Sequence, residues 1–183
     1  MGGLSDEQTA LGSCAASKAQ LSTEGSTMPS FVATRPPDRT YIASETDRFE
    51  QRTADKTWRD LPGASIGLLV GGPHSPSYGA YFIATFSAEA LCSSPDNNNV
   101  LGVEIVFGDE QAEPKDAQRN YRFASASKDG EWASHTITRW IKFEHQMDYQ
   151  RVNCKVRVAQ GSALQDSYYG LQNYVLKVER YNL

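Results

Sequence analysis

Along most of this chain, apolar side chains recur at every second residue. In the clearest run, Phe82, Ala84, Phe86 and Ala88 share one side of an extended backbone, and Tyr81, Ile83, Thr85 and Ser87 share the other. The same beat returns at Val103-Glu104-Ile105, from Val152 to Val158, and from Tyr174 to Val178. A two-residue period belongs to a half-buried strand and not to a helix. Several such strands, punctuated by Gly, Pro and Asn turns, predict an all-β sandwich or barrel.

The chain of 183 residues is long enough for one domain with some chain left over. The alternation assigns residues 40–183 to a β-sandwich domain and leaves residues 1–39 outside it. That first segment is rich in Ala, Ser, Thr, Gly and Gln, and large apolar residues are sparse. Ser5 could cap a short helix, but Leu4, Leu11 and Leu21 are too few to sustain one alone. Thr34-Arg35-Pro36-Pro37-Asp38 then breaks regular structure. An extended, mostly irregular N-terminal arm is expected, one that orders on contact with another subunit.

Within the sandwich, strands are predicted over Thr40–Ala43, Arg48–Arg52, Ser65–Val70, Tyr78–Glu89 and Val100–Phe107. More follow at Tyr121–Ala124, Trp132–Phe143, Gln150–Ala159 and Tyr174–Tyr181. The loops between them carry their own signals, as in Gly71-Gly72-Pro73 and Asp96-Asn97-Asn98-Asn99. Roughly eight to ten strands is the number that a jelly-roll-like antiparallel sandwich needs.

Composition removes several functions. A net charge of −4 with no strongly basic window argues against a nucleic-acid partner. No stretch approaches the ~20 apolar residues of a membrane-spanning helix. The opening Met-Gly-Gly-Leu-Ser-Asp-Glu has neither the basic nor the apolar part of a secretion signal, so export by the general route is not expected. Cys14, Cys92 and Cys154 contain no C-x-x-C, which excludes zinc-ribbon and thioredoxin readings. Cys154 shares the valine face of its strand, as a small buried hydrophobe would. A Cys92–Cys154 disulfide requires the two strands to be neighbours within bonding reach.

Candidate catalytic groups do not assemble. His74, His135 and His145 lack the spacing of a metal face, and no G-x-S-x-G is present. Glu89, Glu104, Asp109 and Glu131 offer carboxylates; Glu89 falls on the Thr85/Ser87 side of its strand and reads as a solvated strand-end charge. The Asp96–Asn99 cluster offers oxygen ligands, but Asn and Asp are also the residues of left-handed turns, and a turn is expected. No catalytic residue, metal ligand or cofactor is therefore assigned. The aromatic residues are the better lead. Trp58, Tyr78 and Trp132 are candidates for stacking a sugar ring, and Tyr168, Tyr169, Tyr174 and Tyr181 for a subunit interface.

Ala84-Thr85-Phe86-Ser87-Ala88-Glu89, Trp132 to Arg139, Val156-Arg157-Val158 and Tyr174 to Arg180 resemble bacterial and phage-borne jelly-roll sandwiches in the style of C1q/TNF-like domains. They are strand stretches without active-site motifs, and the chain has neither the collagen-like stalk nor the secretion signal of the better-known members. The resemblance implies a trimeric, non-enzymatic recognition or structural domain. Arm and sandwich together suggest a subunit that assembles with itself and with a larger particle, on the surface of a virion or injection machine, as a capsid decoration or tail protein. Two other classes stand beside it: a carbohydrate-binding module, and a cupin-like or lyase-type enzyme, for which the histidine spacing is wrong.

Overall fold

A computed structural model describes residues 36–52, 55–72, 79–127 and 130–183. The expected N-terminal arm lies almost wholly outside these residues, as do Cys14, His74 and Tyr78.

Among the described residues ten strands follow in chain order: β1 (Arg39–Glu45), β2 (Phe49–Gln51), β3 (Arg59–Gly71), β4 (Ala80–Ser93) and β5 (Val100–Phe107), then β6 (Glu110–Gln111), β7 (Arg122–Ser125), β8 (Ala133–Phe143), β9 (Tyr149–Gln160) and β10 (Tyr168–Asn182). They form two antiparallel sheets. The first has the order β1-β10-β4-β8, with β2 also on β10. The second has the order β3-β9-β5-β6, with β7 also on β5.

The pairings nest. β1 pairs with β10, β3 with β9, β4 with β8 and β5 with β7. The first half of the chain thus folds back on the second as one long ribbon whose tip is the segment between β5 and β7. Rolling that ribbon lays β10 along β4 and β9 along β5, which closes the two sheets. A chain wound in this way is a jelly roll.

The alternation read from the sequence decides which side chains enter the core. On β4, Phe82, Ala84, Phe86 and Ala88 are buried, while Tyr81, Ile83, Thr85 and Ser87 are not. Facing them from the second sheet are Leu68, Val103, Ile105, Val156 and Val158. Small alanines on β4 leave room for rings between the layers, and Phe82 meets Phe143 edge-on with centroids 5.5 Å apart.

β10 is longer than the alternation alone suggested, and the reason is a bulge. Its pairing with β4 shifts between Gln172 and Val175, where Asn173 adopts φ 50°. An inserted residue reverses the parity of a strand. Tyr169 and Leu171 point inward before the bulge, and Tyr174, Leu176 and Val178 point inward after it. Periodicity starting at Tyr174 missed the first half for this reason.

Cys92 and Cys154 are both free and buried, one on each sheet, so the disulfide is not formed. Burial in an apolar core pushes the Cys92 thiol up to about 12 and raises Cys154 as well. Both act as small core hydrophobes.

Candidate functional site

The outer face of the first sheet is built by the outward residues of β1, β10, β4 and β8. In the middle of it, Thr85 and Thr138 lie opposite each other, as do Ser87 and Thr136. Their hydroxyls are 3.2 Å and 2.9 Å apart, so each pair closes a cross-strand hydrogen bond. Tyr81 and Trp140 meet edge-on at 5.4 Å on one side. Ile42, 66% exposed, and Val175 lie on the other. Charges also stand on this face, at its end on β8 and within it on β10, where Lys177 lies between Ile42 and Thr85 and Glu179 lies beside Ile83. Lys177 pairs with Glu179, and Lys142 pairs with Glu144. Glu89 accepts from Gln172 and Asn173, and these bonds hold its carboxyl below the usual range. The lowered value favours the ionised form at this strand end.

Beside β8 a cleft of about 380 Å³ opens between the edges of the two sheets. Its apolar lining includes Ala90, Cys92, Phe123 and Ala133, and His135 stands at its side. The imidazole packs against Phe123 with ring centres 5.3 Å apart.

The second sheet carries a buried carboxylate that alternation did not anticipate. Glu104 points to the outer side of β5, yet it is 1% exposed. The segment after β6 folds over it. Arg119 from that segment and Arg157 from β9 both donate to Glu104 Oε1, at 3.2 Å and 3.1 Å. Tyr121, buried in the same cover, accepts from the Asp116 amide, and its hydroxyl lies 3.0 Å from the Gln111 side-chain amide. Glu104 Oε2 has no hydrogen-bond partner among the described residues. Desolvation raises the Glu104 pKa, and the two guanidinium groups only partly oppose it. The only sequence sign was Glu104 at an outward position in an otherwise apolar strand; what buries it comes from elsewhere in the chain.

The sequence-selected aromatics scatter. Trp58 lies over β5, where a Cβ on Gly102 would come within 2.9 Å of its Cη2. Trp132 lies over β10, where a Cβ on Gly170 would meet its Cη2 at the same distance. Gly102 and Gly170 are on the outer faces of opposite sheets, so the two tryptophans do not share a groove. Arg48 also stands 4.8 Å from the Trp132 ring centre, on a face a sugar would need. Tyr78 lies outside the described residues. Of the expected interface tyrosines, Tyr169 and Tyr174 are corrected to core positions. They are 1% and 2% exposed, and the Tyr174 hydroxyl donates to the Pro62 carbonyl at 2.7 Å. The β10 bulge turns both inward. Tyr168 and Tyr181 remain partly exposed, with the Arg52 guanidinium 4.5 Å from the Tyr168 ring centre.

Asp96 accepts from Ser94 and from the Asn98 amide, and Asn97 takes φ 55°, as the turn reading expected. Among the described residues no group of three or more His, Cys, Asp or Glu is placed to hold a metal ion. No helix among them is long and apolar enough to cross a membrane.

No family model matches the chain, and no curated protein matches it. Among solved structures, it is similar to a chain in the structure of the infectious bursal disease virus Gt strain, with TM-score 0.50 and 10% identity over 83% of this chain and 38% of that one. It is also similar to a mutant VP2 protein of infectious bursal disease virus in derived T=1 particles (TM-score 0.37, 10% identity, 85% of this chain and 40% of that one). A third similarity is to the CBM36-1 domain of a multidomain xylanase from the hindgut metagenome of Trinervitermes trinervoides (TM-score 0.30, 11% identity, 79% of this chain and 100% of that one). The chain spans less than half the length of the viral chains it matches. The likeness to the Gt-strain chain is one of fold, and the class it shares with this protein is the all-β antiparallel sandwich.

Proposed function

We propose that this protein is a non-enzymatic structural subunit that assembles with copies of itself, as a component of a virion or injection particle such as a capsid decoration or tail protein. The observation that supports this best is the outer face of the first sheet. A solvated sheet face alternates apolar-in with charged or polar-out. Here the stretch from Ile83 to Ser87 on β4 and from Thr136 to Trp140 on β8 has no outward charge, and Val175 extends it beside Ser87; on β10 the only outward charges next to it, Lys177 and Glu179, pair with each other. The hydroxyls that would bind water are already paired with each other. The β4–β8 part of the face costs little to desolvate, so covering it with another subunit is favourable.

The occurrence of this fold in a chain of a virus structure agrees with that reading. Three copies is the number implied by the resemblance to C1q/TNF-like domains. Sedimentation equilibrium is the test. A mass that is a multiple of the 20.2 kDa chain is expected, with a threefold multiple for the trimer. A monomer at every concentration would overturn the reading.

A further inference from the structure

A sheet edge is a row of unpaired amide and carbonyl groups, and proteins guard such edges with charges, proline, bulges or brevity. Among the described residues, three of the four edges are guarded. β3 carries Arg59, Asp60 and Pro62 and a register shift between Asp60 and Ser65. β6 and β7 are two and four residues long. β1 has seven residues, begins at Arg39 and ends at Glu45. β8 differs. It runs for eleven residues, its pairing with β4 has no register shift, and Ala133-Ser134-His135-Thr136-Ile137-Thr138 contains no Asp, Glu, Lys, Arg or Pro.

The direction of the free groups is set by one contact. Trp140 both donates to and accepts from the backbone of Glu113, on the side away from β4. Alternate residues of an antiparallel strand direct their amide and carbonyl groups to the same side. Ser134 and Thr136 therefore present theirs to the open edge, and no described residue meets them. The opening ends at Thr138, whose carbonyl accepts from Arg139 Nη1, and at the Glu113 bridge.

We infer that β8 pairs antiparallel with β8 of a second copy of this chain, about a two-fold axis through His135. This register fills the open stretch from Trp132 to Thr138 and stops short of the Glu113 bridge. Ser134 of each copy exchanges two backbone hydrogen bonds with Thr136 of the other. Ile137 of one copy falls opposite the small Ala133 of the other, over the mouth of the cleft beside β8. Glu131 falls opposite Arg139. No carboxylate among the described residues pairs with Arg139, whose guanidinium is partly buried beside Tyr121. A unit that presents one patch to itself in this way makes a closed, isologous contact. The inference rests on the self-assembly reading and names the surface by which two copies, or two trimers, join.

Cross-linking reads the register directly. Residues opposite each other in a non-hydrogen-bonded pair have Cβ atoms roughly 4.5–5.5 Å apart, close to the separation a disulfide needs. In a Cys14→Ser background, His135→Cys is expected to give a covalent dimer under mild oxidation, and Thr136→Cys is not. Thr136→Pro removes an edge amide that β4 does not use, and is expected to weaken the contact at least about tenfold in sedimentation while leaving the circular dichroism unchanged. If the protein assembles but His135→Cys stays uncrosslinked and Thr136→Pro assembles normally, the β8 contact is wrong and self-assembly stands. A monomer under all conditions sinks both.

Discussion

Replacing Glu104 separates two accounts of its buried carboxylate. Two guanidinium groups converge on Oε1 while Oε2 is without a described partner. In Glu104→Ala both arginines lose their shared acceptor and a cavity opens under the cover. Breaking a buried ion pair by removing one partner costs roughly 3–5 kcal/mol. The arginines left behind are 38% and 28% exposed, so water takes up part of their lost bonding and the cost falls to about 2–3 kcal/mol. Glu104→Gln keeps the shape and an acceptor oxygen but removes the charge. Because burial outweighs the arginines in setting the Glu104 pKa, the charge itself is not net stabilising, and this variant should lie within about 1 kcal/mol of the parent.

The pH dependence has a definite sign. A carboxyl raised in the folded state binds more protons there than in the unfolded chain. Its contribution to stability is fully present below the ordinary value of about 4.3 and is lost as pH rises through the folded one. Asp55, Glu89 and Asp96, whose pKa values are lowered, act in the opposite direction, so the quantity to follow is the difference between parent and variant. Urea melts from pH 4 to pH 8 should show Glu104→Gln gaining on the parent as pH rises. A Gln variant as unstable as the Ala variant at neutral pH would refute the argument, because the charge would then hold the cover in place.

Two further outcomes follow from the packing. In a Cys14→Ser background, Cys92 and Cys154 should resist a thiol reagent in the native protein and react fully once it is unfolded, since burial keeps both thiols protonated; native-state labelling at neutral pH would show that they are not core residues. Gly102→Ala should displace Trp58, cost about 1–3 kcal/mol and shift the tryptophan fluorescence, because the added methyl would lie 2.9 Å from Cη2 and 3.2 Å from the Tyr121 carbonyl oxygen; an unchanged spectrum would place Trp58 elsewhere.

Legibility differed from strand to strand. β5 was read with its observed ends, and β4 with its correct faces, because both keep strict parity between turn signals. β10 lost half its length to a bulge, and with it the assignment of Tyr169 and Tyr174, which left the expected interface for the core. The tryptophans were grouped as one possible platform, but strand order sends them to opposite faces. Glu104 was read only as one of four available carboxylates, because its neighbours in sequence are silent about what covers them.

Alternation and turn residues alone determined that this chain forms β-strands, where most of them lie and which face of each is apolar. Those are properties of neighbouring residues, set by the two-residue repeat of an extended backbone. The nesting of strand pairs, the burial of Glu104, the separation of Trp58 from Trp132 and the unguarded edge of β8 were decided only by the tertiary structure. Each depends on which distant segment comes to lie beside another, and that follows from closing the whole ribbon into two layers at once.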